Sequence, residues 1–257
     1  MSRLKTVVGF LALCLLLLAR VAPAQAAGQR AEIIVSAAAS LTNAFDAVKK
    51  GFEASHQGVA VVSNYAASGV LLRQMESGAP VDVFASADQK TMDQAVAKGL
   101  VDKGSRRDFV RNAVVLVVPG DSRLNVKSAA DLARPEVARI SLGNPDIVPA
   151  GRYAKEYLES TGQWAGLTQK YIFGNNVRQV LDYVTRGEVD AAFVFATDAQ
   201  KAGAKVRVVQ TAEGKTPALY PVAVSATGGK PAAKAFVDYL LSAEGQRILA
   251  AFGFRKP

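Results

Sequence analysis

The chain has 257 residues, half of them hydrophobic, with 31 basic against 22 acidic side chains, one histidine and one cysteine. That length carries one large domain or two lobes of roughly 100 residues each, with ample apolar material for a core. The net charge of +9 is scattered singly or in pairs such as Arg106-Arg107, never as a basic stretch interleaved with aromatics, which points away from nucleic acid and toward a solvated surface that mildly attracts anions.

Arg3 and Lys5, an apolar run over 7–19 and small residues at Ala24-Gln25-Ala26 predict a cleavable secretory signal over 1–26. The run is shorter than the roughly 20 residues of a spanning helix. Cleavage removes three basic residues, which brings the net charge to +6, and it removes Cys14, preceded by Leu13 rather than the small residue of a lipid-modified cysteine. A chain with no remaining thiol suits an oxidising compartment and has no disulfide framework or thiolate chemistry.

From Ala31 onward, short apolar runs alternate with stretches of helical period, the pattern of an α/β protein with a mainly parallel sheet. Strands are predicted over 32–37, 59–65, 81–85 and 112–119, with helices over 41–54 and 69–76 and another after Asp88, a candidate cap. Strands over 140–142, 171–173 and 191–195 then alternate with helices over 150–160 and 177–186. Strands over 206–209 and 219–225 and a terminal helix over 231–252 complete the chain. If 112–119 leaves a first lobe and 219–225 returns to it, lobe 1 is discontinuous (27–112 plus 222–257), lobe 2 is 113–221, and a ligand belongs in the cleft between them.

Sites in such sheets lie beyond the carboxyl ends of strands, at helix N-termini, and four turns there are rich in small residues. Ala39-Ser40 and Ser68-Gly69 offer hydroxyls beside an approachable backbone, although an ordinary helix cap would explain either serine. Pro149-Ala150-Gly151 and Asn176-Val177 open two later helices and leave backbone N–H groups unpaired. Aimed at one cleft, such donors bind a small dianion through neutral amides and hydroxyls. They offer no carboxylate to accept the proton of an anion that keeps one, so selectivity against phosphate should follow. Arg152 and Arg178 lie near two turns and read as solvent-facing charges.

The segments AAASLTNAF (37–45), GAPVDVFASAD (78–88) and VPAGRYAKE (148–156) resemble the signatures of the molybdate-binding proteins of ATP-driven molybdate importers, over about 33–254. The resemblance implies a type II periplasmic binding fold, two α/β lobes joined by two crossing strands, and a periplasmic monomer that carries molybdate or tungstate, without a cofactor, to an ABC permease. It implies oxyanion contacts from Ser40, Ser68, Ala150 and Val177, with Ala39, Gly69 and Tyr153 beside them. Molybdenum enters only as molybdate. In enterobacterial members a tyrosine hydroxyl also touches the anion, and the matching position here is Phe195.

Sulfate or another oxyanion is the alternative ligand. A secreted serine hydrolase using Ser40 or Ser68 lacks a Gly-x-Ser-x-Gly elbow, and His56 follows a helix end, so no enzyme is expected. Asp82, Asp88, Asp146, Asp190 and Asp198 are too dispersed for a calcium loop.

Overall fold

The computed structural model describes residues 30–227 and 230–257, so the 1–26 signal and Cys14 lie outside the described residues. Strand β1 (Ala31–Ala38) leads through a 3-10 turn at Ala39–Leu41 into helix α1 (Thr42–Ser55). Phe45, Val48 and Phe52, spaced three and four residues apart, make the buried face of α1. Next come β2 (Val59–Ala66), α2 (Ser68–Glu76), β3 (Val83–Ala85) and α3 (Gln89–Ala97), the last capped by the Asp88 carboxylate on the Thr91 N–H.

The strand expected over 112–119 is two strands. The first is β4 (Arg107–Asn112); Ala113 then carries the chain into β5 (Val114–Pro119), which belongs to a different sheet. There follow β6 (Ile140–Gly143), α4 (Pro149–Ser160), β7 (Tyr171–Gly174), α5 (Val177–Thr185), β8 (Ala191–Phe195), the short α6 (Ala196–Ala202) and β9 (Val206–Thr211). The chain returns through β10 (Ala218–Val224) and ends in α7 (Pro231–Leu241) and α8 (Ala243–Ala251).

Two five-stranded sheets result, in the orders β2-β1-β3-β10-β4 and β7-β6-β8-β5-β9. β10 runs antiparallel to both its neighbours, and β5 does the same in the second sheet. The other named pairs, β1 with β2 and β3 and β6 with β7 and β8, are parallel. Because Ala218 already pairs with Asn112, the return to the first sheet falls between Thr211 and Ala218. The boundary expected at 221/222 would cut β10 in two.

The terminal helix expected over 231–252 is also two. Ser242 leaves helical geometry, and its hydroxyl accepts from the Gly245 N–H to start α8. A side chain at Gly245 would strike the Tyr239 and Leu240 carbonyls, so glycine is what lets the two helices meet. Phe236 of α7 then packs edge-on against Phe52, with ring centroids 5.2 Å apart, and seals α1 to the C-terminus.

Candidate functional site between the two sheets

Parallel pairing in register puts four turns at two neighbouring strand ends. Ala38 of β1 lies opposite Ala66 of β2, so the Ser40 and Ser68 turns leave the first sheet side by side. Gly143 of β6 lies opposite Gly174 of β7, which does the same for the turns leading to Ala150 and Val177. Two cross-contacts join the pairs: the Gly69 N–H donates to the Ile147 carbonyl (3.0 Å), and Arg178 Nη2 donates to the Ser40 carbonyl (3.2 Å). A Cβ on Gly69 would lie 2.8 Å from that carbonyl oxygen.

Ser40, Ser68, Ala150, Val177 and Ala39 are all buried at this seam. Neither serine caps a helix. The Ser40 hydroxyl lies 3.0 Å from the Tyr220 hydroxyl, and Ser68 Oγ accepts from the Ala87 N–H (3.0 Å). The N-cap residues of α2 and α4, Ala67 and Val148, make no side-chain bond to the helix. At α5 the Asn176 side chain takes the N–H groups of Arg178 and Gln179 but not that of Val177. Unpaired N–H donors at the positive ends of three helices therefore meet two hydroxyls.

The two arginines are not solvent-facing. Arg152 crosses the seam to Asp88, with Nη2 2.6 Å and Nε 2.7 Å from Oδ2, and reaches the Thr91 hydroxyl (2.7 Å). Arg178 donates to Asn43 Oδ1 (2.9 Å) and lies 2.8 Å from Asp198 Oδ1 in a contact not aligned as a hydrogen bond. Burial pushes the Asp198 carboxyl up to about 6 against the pull of the Arg178 charge. Each arginine is thus matched by a carboxylate, and the donors facing the seam are neutral. A spacing pattern could not have shown this, because Asp88 and Arg152 are 64 residues apart.

Phe195 is buried, with its ring centroid 6.4 Å from that of Tyr153 and 5.5 Å from that of Tyr220. Tyr153 packs edge-on there, and burial raises its hydroxyl well above the usual tyrosine value. Tyr220, read from the sequence only as part of a return strand, is the polar residue that went unnoticed. A pocket of about 220 Å³ opens beside Ser40, lined also by Asn43, Arg178, Thr197 and Phe254. Ala150, Val177 and Ser68 do not line it, so it opens on one side of the seam.

His56 caps the far end of α1, stacked on Phe52 with centroids 4.1 Å apart. That is roughly 20 Å along the helix axis from the Ser40 turn, too far to activate either serine. Among the described residues no group of three or more His, Cys, Asp or Glu side chains could hold a metal ion. Among them, too, no helix is long and apolar enough to cross a membrane.

Two α/β lobes, two crossing segments and a seam of neutral donors are the architecture of a solute-binding protein, and the family model for bacterial extracellular solute-binding proteins matches residues 33–255: the chain belongs to that family. Among its relatives, the molybdate-binding protein ModA of Escherichia coli is 38% identical over 87% of this chain and 88% of its own. The Haemophilus influenzae molybdate-binding protein ModA is 33% identical over 87% of this chain and 90% of its own. The solved periplasmic molybdate-binding protein of Azotobacter vinelandii superposes with a TM-score of 0.78 over 88% of this chain and 99% of its own, at 24% identity, and has the same type II fold.

Proposed function

We propose that this chain, exported to the periplasm with loss of its 1–26 segment, binds one molybdate or tungstate between its lobes as a monomer and delivers it to an ABC permease. It performs no chemistry on the ligand and needs no cofactor. Ser40 and Ser68 donate through hydroxyl and backbone N–H, and Ala150 and Val177 through backbone N–H, with Ala39 and Gly69 allowing close approach. The observation that carries this is the meeting of four donor turns at a seam where Arg152 and Arg178 are already matched by Asp88 and Asp198. A fully ionised tetrahedral dianion is held by neutral donors and helix N-termini alone, and it can accept from every one of them. The molybdate-binding relatives support the choice of anion, and sulfate is the rival.

Isothermal titration of the mature protein with molybdate, tungstate, sulfate and phosphate tests this. Tight one-to-one binding of molybdate and tungstate alone is expected. Equal binding of sulfate would keep the carrier and discard the anion, and no binding of any of the four would reject the proposal.

A further inference from the structure

We propose that Asn112 and Tyr220 form a one-way hydrogen-bond relay that sets the Ser40 hydroxyl as a donor toward the ligand, and that this relay selects against oxyanions carrying a proton. The inference rests on the oxyanion reading above and deepens it. It concerns two positioning residues beside the crossing segments, Asn112 at the end of β4 and Tyr220 in β10.

The direction of the relay follows from satisfying each group in turn. The Ala113 N–H donates to Asn112 Oδ1 (2.9 Å), which fixes the amide so that Nδ2 faces the seam. That NH2 group can only donate, and its partners are the Thr197 hydroxyl (2.9 Å) and the Tyr220 hydroxyl (3.3 Å). Tyr220 is fully buried, which holds its proton on well above the usual tyrosine range, and its remaining polar neighbour is Ser40 Oγ at 3.0 Å. Were Ser40 to donate to Tyr220, the phenol would accept twice and its own proton would be buried without an acceptor, a costly arrangement. Tyr220 therefore donates, Ser40 Oγ accepts, and the Ser40 proton is left to point into the seam.

Ser68 is set in the same way by a different group, since its Oγ accepts from the Ala87 N–H. Both hydroxyls thus have an upstream donor on their oxygen and a free proton toward the ligand. A serine without such a donor can rotate freely and accept the proton of a hydrogen phosphate; in these two the upstream bond takes one lone pair and turns the hydroxyl proton toward the ligand, which disfavours that acceptance. The phenol missing at Phe195 is then matched by one acting from behind Ser40.

The test is titration of wild type, Tyr220→Phe and Asn112→Asp with molybdate and with phosphate at pH 8, alongside thermal unfolding. Asn112→Asp keeps the phenol but offers it an acceptor that draws its proton away from Ser40, so the outcome does not depend on Tyr220→Phe folding well. In both variants molybdate should bind about 3- to 10-fold more weakly, while the ratio of molybdate to phosphate affinity falls by more than that. An unchanged ratio in the two variants, whatever happens to molybdate affinity or melting temperature, overturns the relay and leaves the carrier intact. A wild type that binds no tetrahedral oxyanion removes both.

Discussion

Arg152 and Asp88 sit on opposite sides of the seam and hold each other through two guanidinium nitrogens, with Nη2 2.6 Å and Nε 2.7 Å from the same carboxylate oxygen. Asp88 also caps α3, so the contact that joins the sheets is anchored to a helix end. Removing Arg152 leaves a buried carboxylate that keeps the Thr91 N–H and the Ser86 hydroxyl but has no counter-charge. Arg152→Ala should lose about 2–4 kcal/mol of unfolding free energy, discounted for the partial exposure of the arginine. In small-angle scattering the ligand-free variant should be larger than wild type. Equal radii would mean that the pair stabilises the fold without holding the seam closed.

Ser68→Ala removes a donor and orphans the Ala87 N–H, which has Ser68 Oγ as its partner. Molybdate affinity should fall by about 10- to 100-fold, as for a hydrogen bond to a charged group. Stability of the ligand-free protein should fall by about 1–3 kcal/mol from the unpaired amide. Calorimetric titration reads the first and urea unfolding the second; unchanged affinity would take Ser68 out of the site.

Gly69→Ala tests close approach directly, because the new Cβ would lie 2.8 Å from the Ile147 oxygen and 2.9 Å from its Cα. Both contacts are backbone across the seam and neither can swing aside. Circular dichroism should be unchanged, binding should weaken at least 10-fold and compaction on ligand addition should be reduced. Wild-type affinity in this variant would show that the two turns separate without consequence for the ligand.

Asp198 makes stability depend on pH in an unusual direction for a carboxylate. Its folded value of about 6 lies above the ordinary value of 3.8, so between these the folded state holds a proton that the unfolded chain has released. Its contribution is therefore fully present below about pH 4, declines as pH rises through 6, and is constant above. Asp198→Asn stays neutral throughout. The stability of wild type relative to the variant should drop by on the order of 3 kcal/mol between pH 4 and 7, and parallel stability curves for the two proteins would refute the assignment.

The α/β order and the four turns could be read from the sequence because they depend on local features, apolar runs of strand length and small residues ahead of amphipathic stretches. β4 escaped because four of its six residues, Arg107, Asp108, Arg111 and Asn112, are charged or polar; it lies at a sheet edge, and Phe109 and Val110 alone turn inward. The break at Ser242 escaped because the helical period continues through it, and Gly245 shows its purpose only against the Tyr239 carbonyl. Arg152, Arg178 and Tyr220 were misjudged or missed for a common reason. Their partners come from distant segments, as with Tyr220 and Ser40 at a separation of 180 residues, and no local pattern carries that information.

β10 has a consequence for how the protein is made. It lies between β3 and β4, so the first sheet is divided into two parts until residue 218 and beyond are available, whereas the second sheet is drawn from one unbroken stretch, 114–211. A chain emerging N-terminus first exposes the unpaired edges of β3 and β4 for most of its appearance, an invitation to wrong pairing. The inserted half can assemble early, and the half that begins the chain must wait for the end of it. Truncations that keep the four donor turns but remove the last 40 positions should therefore fail in the N-terminal half first.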